Sequence, residues 1–123
     1  MEGVRVLVVE DDQSIQRLVA DVLEDEGYTV DVALDGIDAL EQAHRALPHV
    51  VLLDLDLPTM TGPAFRQRLL DLDGGTETRI IVMTANGQAK EIAQRIGAHG
   101  VLTKPFDLDE LLSIVGQAAS AQD

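Results

Sequence analysis

The sequence has no cysteine and no tryptophan, which excludes disulfide bonds and thiol chemistry at the outset. Aromatic residues number three: Tyr28, Phe65 and Phe106. Basic residues are scarce too, with nine Lys and Arg against 22 Asp and Glu and a formal net charge of −13. Nucleic-acid affinity rests on phosphate neutralisation and on stacking against aromatic rings, so direct nucleic-acid binding is not expected of this chain. An acidic surface favours divalent cations and basic protein surfaces instead. No apolar run approaches the roughly 18–20 residues of a membrane span, so no membrane association is expected. The opening MEGVRVLVVEDD has no basic leader, and the expected location is cytoplasmic. Repeats and low-complexity tracts are missing as well. At 123 residues the chain fits one domain with a single core.

What is present is an alternation of short β-branched runs with segments of helical period, the pattern of a parallel α/β sheet. VRVLVV (4–9) reads as the first strand. Ile15, Leu18, Val19, Val22 and Leu23 then mark one buried helical stripe that stops at Gly27. TVDVA (29–33) is a half-buried strand, followed by a helix from Gly36 with Ile37, Leu40, Ala43 and Leu47, ended by Pro48. HVVLLD (49–54) is apolar on both faces, as a central parallel strand should be. A third helix starts near Pro63 and runs to the Asp73-Gly74-Gly75 break. RIIVMT (79–84) and GVLT (100–103) are the last strands. Between them a helix from about Gln88 to Ile96 has a thin stripe of Ala89, Ile92, Ala93 and Ile96, which predicts the loosest helix. Leu108, Leu111, Leu112 and Val115 line the final helix. The expected class is α/β, five βα units with right-handed crossovers.

In open α/β sheets ligands bind beyond the carboxyl ends of the strands. Glu10, Asp11 and Asp12 follow the first strand, Asp54 ends the third, Thr84 ends the fourth, and Lys104-Pro105 follows the fifth. With Asp12 set aside as a helix cap, three carboxylates from two strands, a hydroxyl and an ammonium would therefore share one crevice. Clustered carboxylates repel, and one takes up a proton unless a cation balances them. Magnesium suits an all-oxygen set, and the ammonium and hydroxyl suit further phosphoryl oxygens. A strand-end carboxylate can itself be the nucleophile and form an acyl phosphate. Plainer readings apply to single residues: Asp12 as an N-cap, Thr84 as a strand residue, Lys104-Pro105 as a turn. His44, His49 and His99 have no ligand spacing and are expected on or near the surface without a function. In LLDLDLPTMTG, Asp54 and Asp56 share a face only if the strand runs through both, which Pro58 opposes.

The chain resembles the receiver domain of bacterial two-component response regulators, essentially from Val4 to Ala119. The motifs are VLVVEDD, LLDLDLPTMTG, VMTA and TKPF, in that order. The resemblance implies a flavodoxin-like (βα)5 three-layer sandwich with strand order 2-1-3-4-5, filling residues 1–123 as one domain with a core of about 4–119 and a short tail at 120–123. It implies Asp54 as phosphoacceptor, with Asp11 and Asp54 as magnesium ligands, Glu10 as a ligand through water, and Asp56 through its backbone carbonyl. Thr84 and Lys104 would hold phosphoryl oxygens, and Pro105 would follow a cis bond. The donor partner would be a sensor histidine kinase or phosphotransfer protein, and the outcome a changed affinity for an output partner. Such a domain is no turnover enzyme, since it catalyses only its own phosphorylation and dephosphorylation. The Asp56 carboxylate, near the route of an attacking water, is expected to alter the acyl-phosphate lifetime.

Two departures stand out. Val101 occupies the place of a Tyr or Phe that commonly couples to the threonine, so any switch is expected to work through loops and the fourth helix. His99, Gly100 and Ile114 stand where winged-helix members carry an acid pair and an arginine for dimer salt bridges, so a monomer or weak dimer is expected. Two other functions compete: a receiver-like scaffold that acts without phosphorylation, and a haloacid-dehalogenase-like phosphatase whose D-x-D-x-(T/V) loop overlaps DLDLP. The latter lacks Thr or Val at its fifth place, which is Pro58.

Overall fold

The computed structural model describes residues 3–56, 62–72, 74–85 and 89–120. The elements are β1 (Arg5–Val9), α1 (Gln13–Asp25), β2 (Thr29–Ala33), α2 (Gly36–Arg45), β3 (Val50–Asp54), α3 (Gly62–Leu70), β4 (Arg79–Thr84), α4 (Ala89–Ile96), β5 (Gly100–Thr103) and α5 (Leu108–Ser120). A 3-10 turn at Gly75–Glu77 leads into β4. The five strands form one parallel sheet in the order β2-β1-β3-β4-β5. This is the flavodoxin-like α/β arrangement expected from the sequence. The expected helix start at Gln88 and the Asp73 break lie outside the described residues.

Alternation along each strand divides the core in two. Val6, Val8, Val50, Leu52, Ile81 and Met83 face one side and pack with Val19 and Leu23 of α1 and Leu111 and Val115 of α5. Leu7, Val9, Val51, Leu53, Ile80 and Val82 face the other, against Ala39 and Ala43 of α2, Phe65 and Leu69 of α3, and Ala93 and Ile96 of α4. All five residues of β3 are buried, which is why its sequence is apolar on both faces.

The helix starts use the acids that charge counting assigns to the surface. Asp12 caps α1, its Oδ1 accepting from the backbone N–H of Ser14 at 2.9 Å and Ile15 at 3.2 Å. Asp35 accepts from Asp38 N at 2.8 Å at the start of α2, and Asp107 from Glu110 N at 2.8 Å in α5. Helix α1 closes at Gly27, whose φ of 99° is open to glycine and strained for other residues.

Helix α2 departs from expectation in two ways. It ends at Arg45, and Leu47 lies outside it, because a residue before proline is disfavoured in the α region. Its buried stripe is also shifted: Gly36, Ala39 and Ala43 face the sheet, Leu40 is half-buried and Ile37 is exposed. The small residues let α2 lie close to the strands. Leu18 in α1 and Leu108 in α5, expected in the buried stripes, are exposed as well.

Candidate phosphoryl-accepting site

The parallel sheet brings every strand's carboxyl end to one edge, and there the predicted polar residues meet. Glu10 follows β1 directly, and its backbone N–H still donates to Ala33 O at 3.0 Å, so the chain leaves the sheet only after placing this side chain. Gln16, one turn into α1, donates from its amide to Glu10 O at 3.0 Å and to Ala33 O at 3.1 Å, fixing the turn. Asp54 is the last residue of β3 and pairs with Met83 of β4. The strand stops there: Leu55 and Asp56 turn away, and Asp56 N donates to Asp54 Oδ1 at 2.9 Å. Asp54 and Asp56 thus do not extend one strand face. Thr84 ends β4, and Lys104 follows β5 with its N–H donating to Thr84 O at 2.9 Å.

Carboxylate oxygens of Glu10, Asp11 and Asp54 lie within 4.8 Å of one another. Glu10 and Asp54 are buried while Asp11 is exposed, so the cluster has a dry floor and a wet rim. Lys104 Nζ reaches Glu10 Oε1 at 2.7 Å and Asp54 Oδ2 at 3.2 Å. The other Glu10 oxygen accepts from Asp12 N at 3.3 Å. Thr84, buried, donates its hydroxyl to Asp56 Oδ1 at 3.3 Å. The Lys104-Pro105 bond is cis. Val101 is half-buried on β5.

Electrostatics follow from this crowding. Burial, and next the Asp54 carboxylate beside it, push Glu10 up to about 7 against the lowering influence of Lys104. Burial alone would lower the Lys104 ammonium, but the hydrogen bond to Glu10 and the charge of Asp54 hold it above the ordinary lysine range. One ammonium therefore serves two buried carboxylates, and a third carboxylate stands at the rim. The set is all oxygen, the donor type that a hard divalent cation such as magnesium requires.

Some contributors were not visible in the sequence. Gln16 is one, because its partners are carbonyls brought together by the β1–β2 pairing. The histidines are others. His49 Nδ1 accepts from Arg5 N at 2.9 Å, and His99 Nδ1 accepts from Ile80 N at 3.1 Å, both at the amino edge of the sheet. They are structural there and far along the strands from the carboxylates.

The response regulator receiver domain family matches residues 6–116, and the chain belongs to that family. It is similar to the transcriptional regulatory protein DltR of Streptococcus agalactiae, 43% identical over 111 residues that make up 89% of this chain and 49% of that protein. The chain spans about half the length of the first curated relatives it matches. Against the sporulation initiation phosphotransferase F of Bacillus subtilis it is 34% identical over 117 residues, 94% of this chain and 93% of the relative. Among solved structures it is similar to the receiver domain of sensor histidine kinase PA1611 from Pseudomonas aeruginosa PAO1, with a TM-score of 0.85, 30% identity, and coverage of 96% and 98% of the two chains. That structure has a magnesium ion coordinated in the active site cleft. Among the described residues no helix is long and apolar enough to cross a membrane.

Proposed function

We propose that this receiver domain accepts a phosphoryl group on Asp54 from a phosphohistidine of a sensor kinase or phosphotransfer protein, and that the modification changes its affinity for an output partner. The observation that carries the reading is the buried Asp54 carboxylate held within 4.8 Å of Glu10 and Asp11 oxygens, with Lys104 at 3.2 Å. In the transfer, an Asp54 oxygen forms the new bond to phosphorus, the P–N bond breaks, and the imidazole nitrogen keeps the electron pair and takes a proton. Asp11, Asp54, the Asp56 backbone carbonyl and Glu10 through water would hold magnesium, which supplies positive charge to the phosphoryl oxygens when bound. Lys104, 3.2 Å from Asp54, and Thr84, whose hydroxyl bonds the neighbouring Asp56, would supply the remaining charge and hydrogen bond. One gap of about 330 Å³ lies next to this edge, lined by Ile15, Leu18, Pro105 and Phe106, and its apolar wall with the exposed Leu18 suits an apolar patch on the donor protein.

Family membership and acids contributed by both β1 and β3 favour this reading over the haloacid-dehalogenase-like alternative. The scaffold alternative is separated by one measurement. Intact mass after acetyl phosphate with magnesium should rise by one phosphoryl group in the parent and stay unchanged in Asp54→Asn. A gain that survives the substitution would remove Asp54 from the role, and no gain in either protein would favour the scaffold.

A further inference from the structure

We propose that the Asp56 carboxylate is a resting-state latch on Thr84, holding the hydroxyl that the phosphorylated site uses. This rests on the phosphoacceptor reading of Asp54 and adds a positioning role for a neighbouring side chain. Asp56 touches both parts of the site at once: its N–H donates to Asp54 Oδ1 at 2.9 Å, and its Oδ1 accepts from Thr84 Oγ1 at 3.3 Å. Residues 54–56 leave the sheet beside β4, and the Asp54–Met83 pairing places that turn next to the end of β4 where Thr84 sits.

A threonine hydroxyl has a single proton and donates one hydrogen bond at a time. Asp56 and a phosphoryl group on Asp54 therefore compete for it. Both acceptors are anionic, so the outcome depends on the difference between two charge-assisted bonds. The resting bond is longer than the usual O–H···O range, and Asp56 is exposed, so water stands ready to solvate the carboxylate once it is released. A weak, solvated contact of this kind biases an equilibrium without locking it. Its effect is to favour the unmodified arrangement: phosphorylation must first forfeit the Thr84–Asp56 bond.

The test separates this contact from the plain negative charge of Asp56. Beryllofluoride with saturating magnesium mimics the phosphoryl group without a covalent bond, and its affinity is measured by calorimetry. Asp56→Ala should bind about fivefold more tightly than the parent, the scale of one modest hydrogen bond. Asp56→Asn keeps an acceptor oxygen and should gain less. In a Thr84→Val background the same Asp56→Ala change should alter affinity by under about twofold, since a coupling between contacting residues vanishes when one partner is gone. An equal gain in both backgrounds would show that Asp56 acts through charge alone and overturn the latch. A second readout needs neither metal nor beryllofluoride: rotamer-sensitive couplings and the methyl shift of Thr84 by NMR. The parent and Asp56→Asn should show one dominant rotamer and Asp56→Ala an average of several; an unchanged rotamer in Asp56→Ala would overturn the latch. If the parent binds no beryllofluoride, the phosphoacceptor reading fails, and the NMR comparison still decides the resting contact.

Discussion

The two edges of the sheet are built from similar residues to opposite ends. At the amino edge, polar groups from distant parts of the chain satisfy one another. His49 exchanges two bonds with Arg5, its N–H donating to Arg5 O at 2.8 Å and its ring accepting from Arg5 N at 2.9 Å. His99 does the same with Ile80, at 2.7 Å and 3.1 Å. The buried Thr78 hydroxyl donates to Pro48 O at 2.8 Å. Each ring extends the parallel ladder by one rung. At the carboxyl edge, one ammonium serves two buried carboxylates with a third at the rim, and burial together with the neighbouring Asp54 pushes Glu10 up to about 7. Satisfied polar groups stabilise the fold, whereas concentrated like charge costs stability and leaves an affinity for cations and phosphoryl groups. The difference teaches where stability and reactivity are each placed on one sheet.

The sharpest break of the quiet edge is Gly75→Ala. A Cβ there would lie 1.9 Å from Leu69 O and 2.9 Å from Leu69 C, backbone atoms at the end of α3 that cannot rotate away. The 3-10 turn that delivers β4 would have to move. A loss of about 3 kcal/mol is expected from such overpacking, read as a lower midpoint in urea denaturation. Gly100→Ala provides the control: its Cβ would meet the Ile114 side chain at 2.8 Å, which can adopt another rotamer, so the loss should be smaller.

The strained edge should respond in the reverse direction. Glu10→Gln removes one buried charge from the cluster, and the metal-free protein should become more stable at pH 8 by about 1 kcal/mol, while its magnesium affinity falls. The sign follows from linkage. Glu10 in the folded chain holds its proton up to about 7, above its ordinary value of 4.5, so the folded state binds more protons between those values. Stability from this group is therefore present at low pH and is lost as pH rises through about 7. The advantage of Glu10→Gln should shrink as pH falls below that window; a constant advantage from pH 5 to 8 would remove the buried Glu10 charge as its cause.

The two edges were unequally legible in the sequence. The strands announced themselves as apolar or alternating β-branched runs, and at the carboxyl edge each relevant run ended in or was followed by a polar residue, so Glu10, Asp54, Thr84 and Lys104 could be placed at one crevice from the parallel α/β pattern, with the strand order supplied by the family resemblance. Asp12 as a helix cap was readable for the same local reason. The amino edge rests on pairs far apart in the chain: Arg5 with His49, Ile80 with His99, Thr78 with Pro48. Nothing in the residues around a histidine marks its ring as a ladder acceptor. Arg66 was invisible likewise: its guanidinium donates to Ile96 O and Gly97 O, tying the end of α4 to α3. The stripe of α2 was misread at Ile37, which is exposed, because hydrophobicity does not reveal that close packing on the sheet selects Gly36 and Ala39 beside the expected Ala43, while Leu40 and Leu47 pack partly buried against the same core.

The smallest expected effect tests whether the histidine rungs are sensitive to protonation. His99 is held below the ordinary histidine value of 6.5, first by burial and then by the charges of Arg79 and Arg66. The folded state thus binds fewer protons than the unfolded chain just below that pH, and stability falls as pH drops through about 6.5. A protonated ring has no free Nδ1 lone pair, so the bond from Ile80 N is lost as well. The burial is only partial, since His99 as a whole is exposed, and solvent screening limits the effect to about a few tenths of a kcal/mol. His99→Asn keeps a side-chain oxygen as acceptor without a titrating group. Its urea midpoint should match the parent at pH 8 and exceed it slightly at pH 5.5. An identical pH dependence in both proteins would mean that the amino edge is indifferent to protons, and that acid sensitivity in this fold belongs to the carboxyl edge alone.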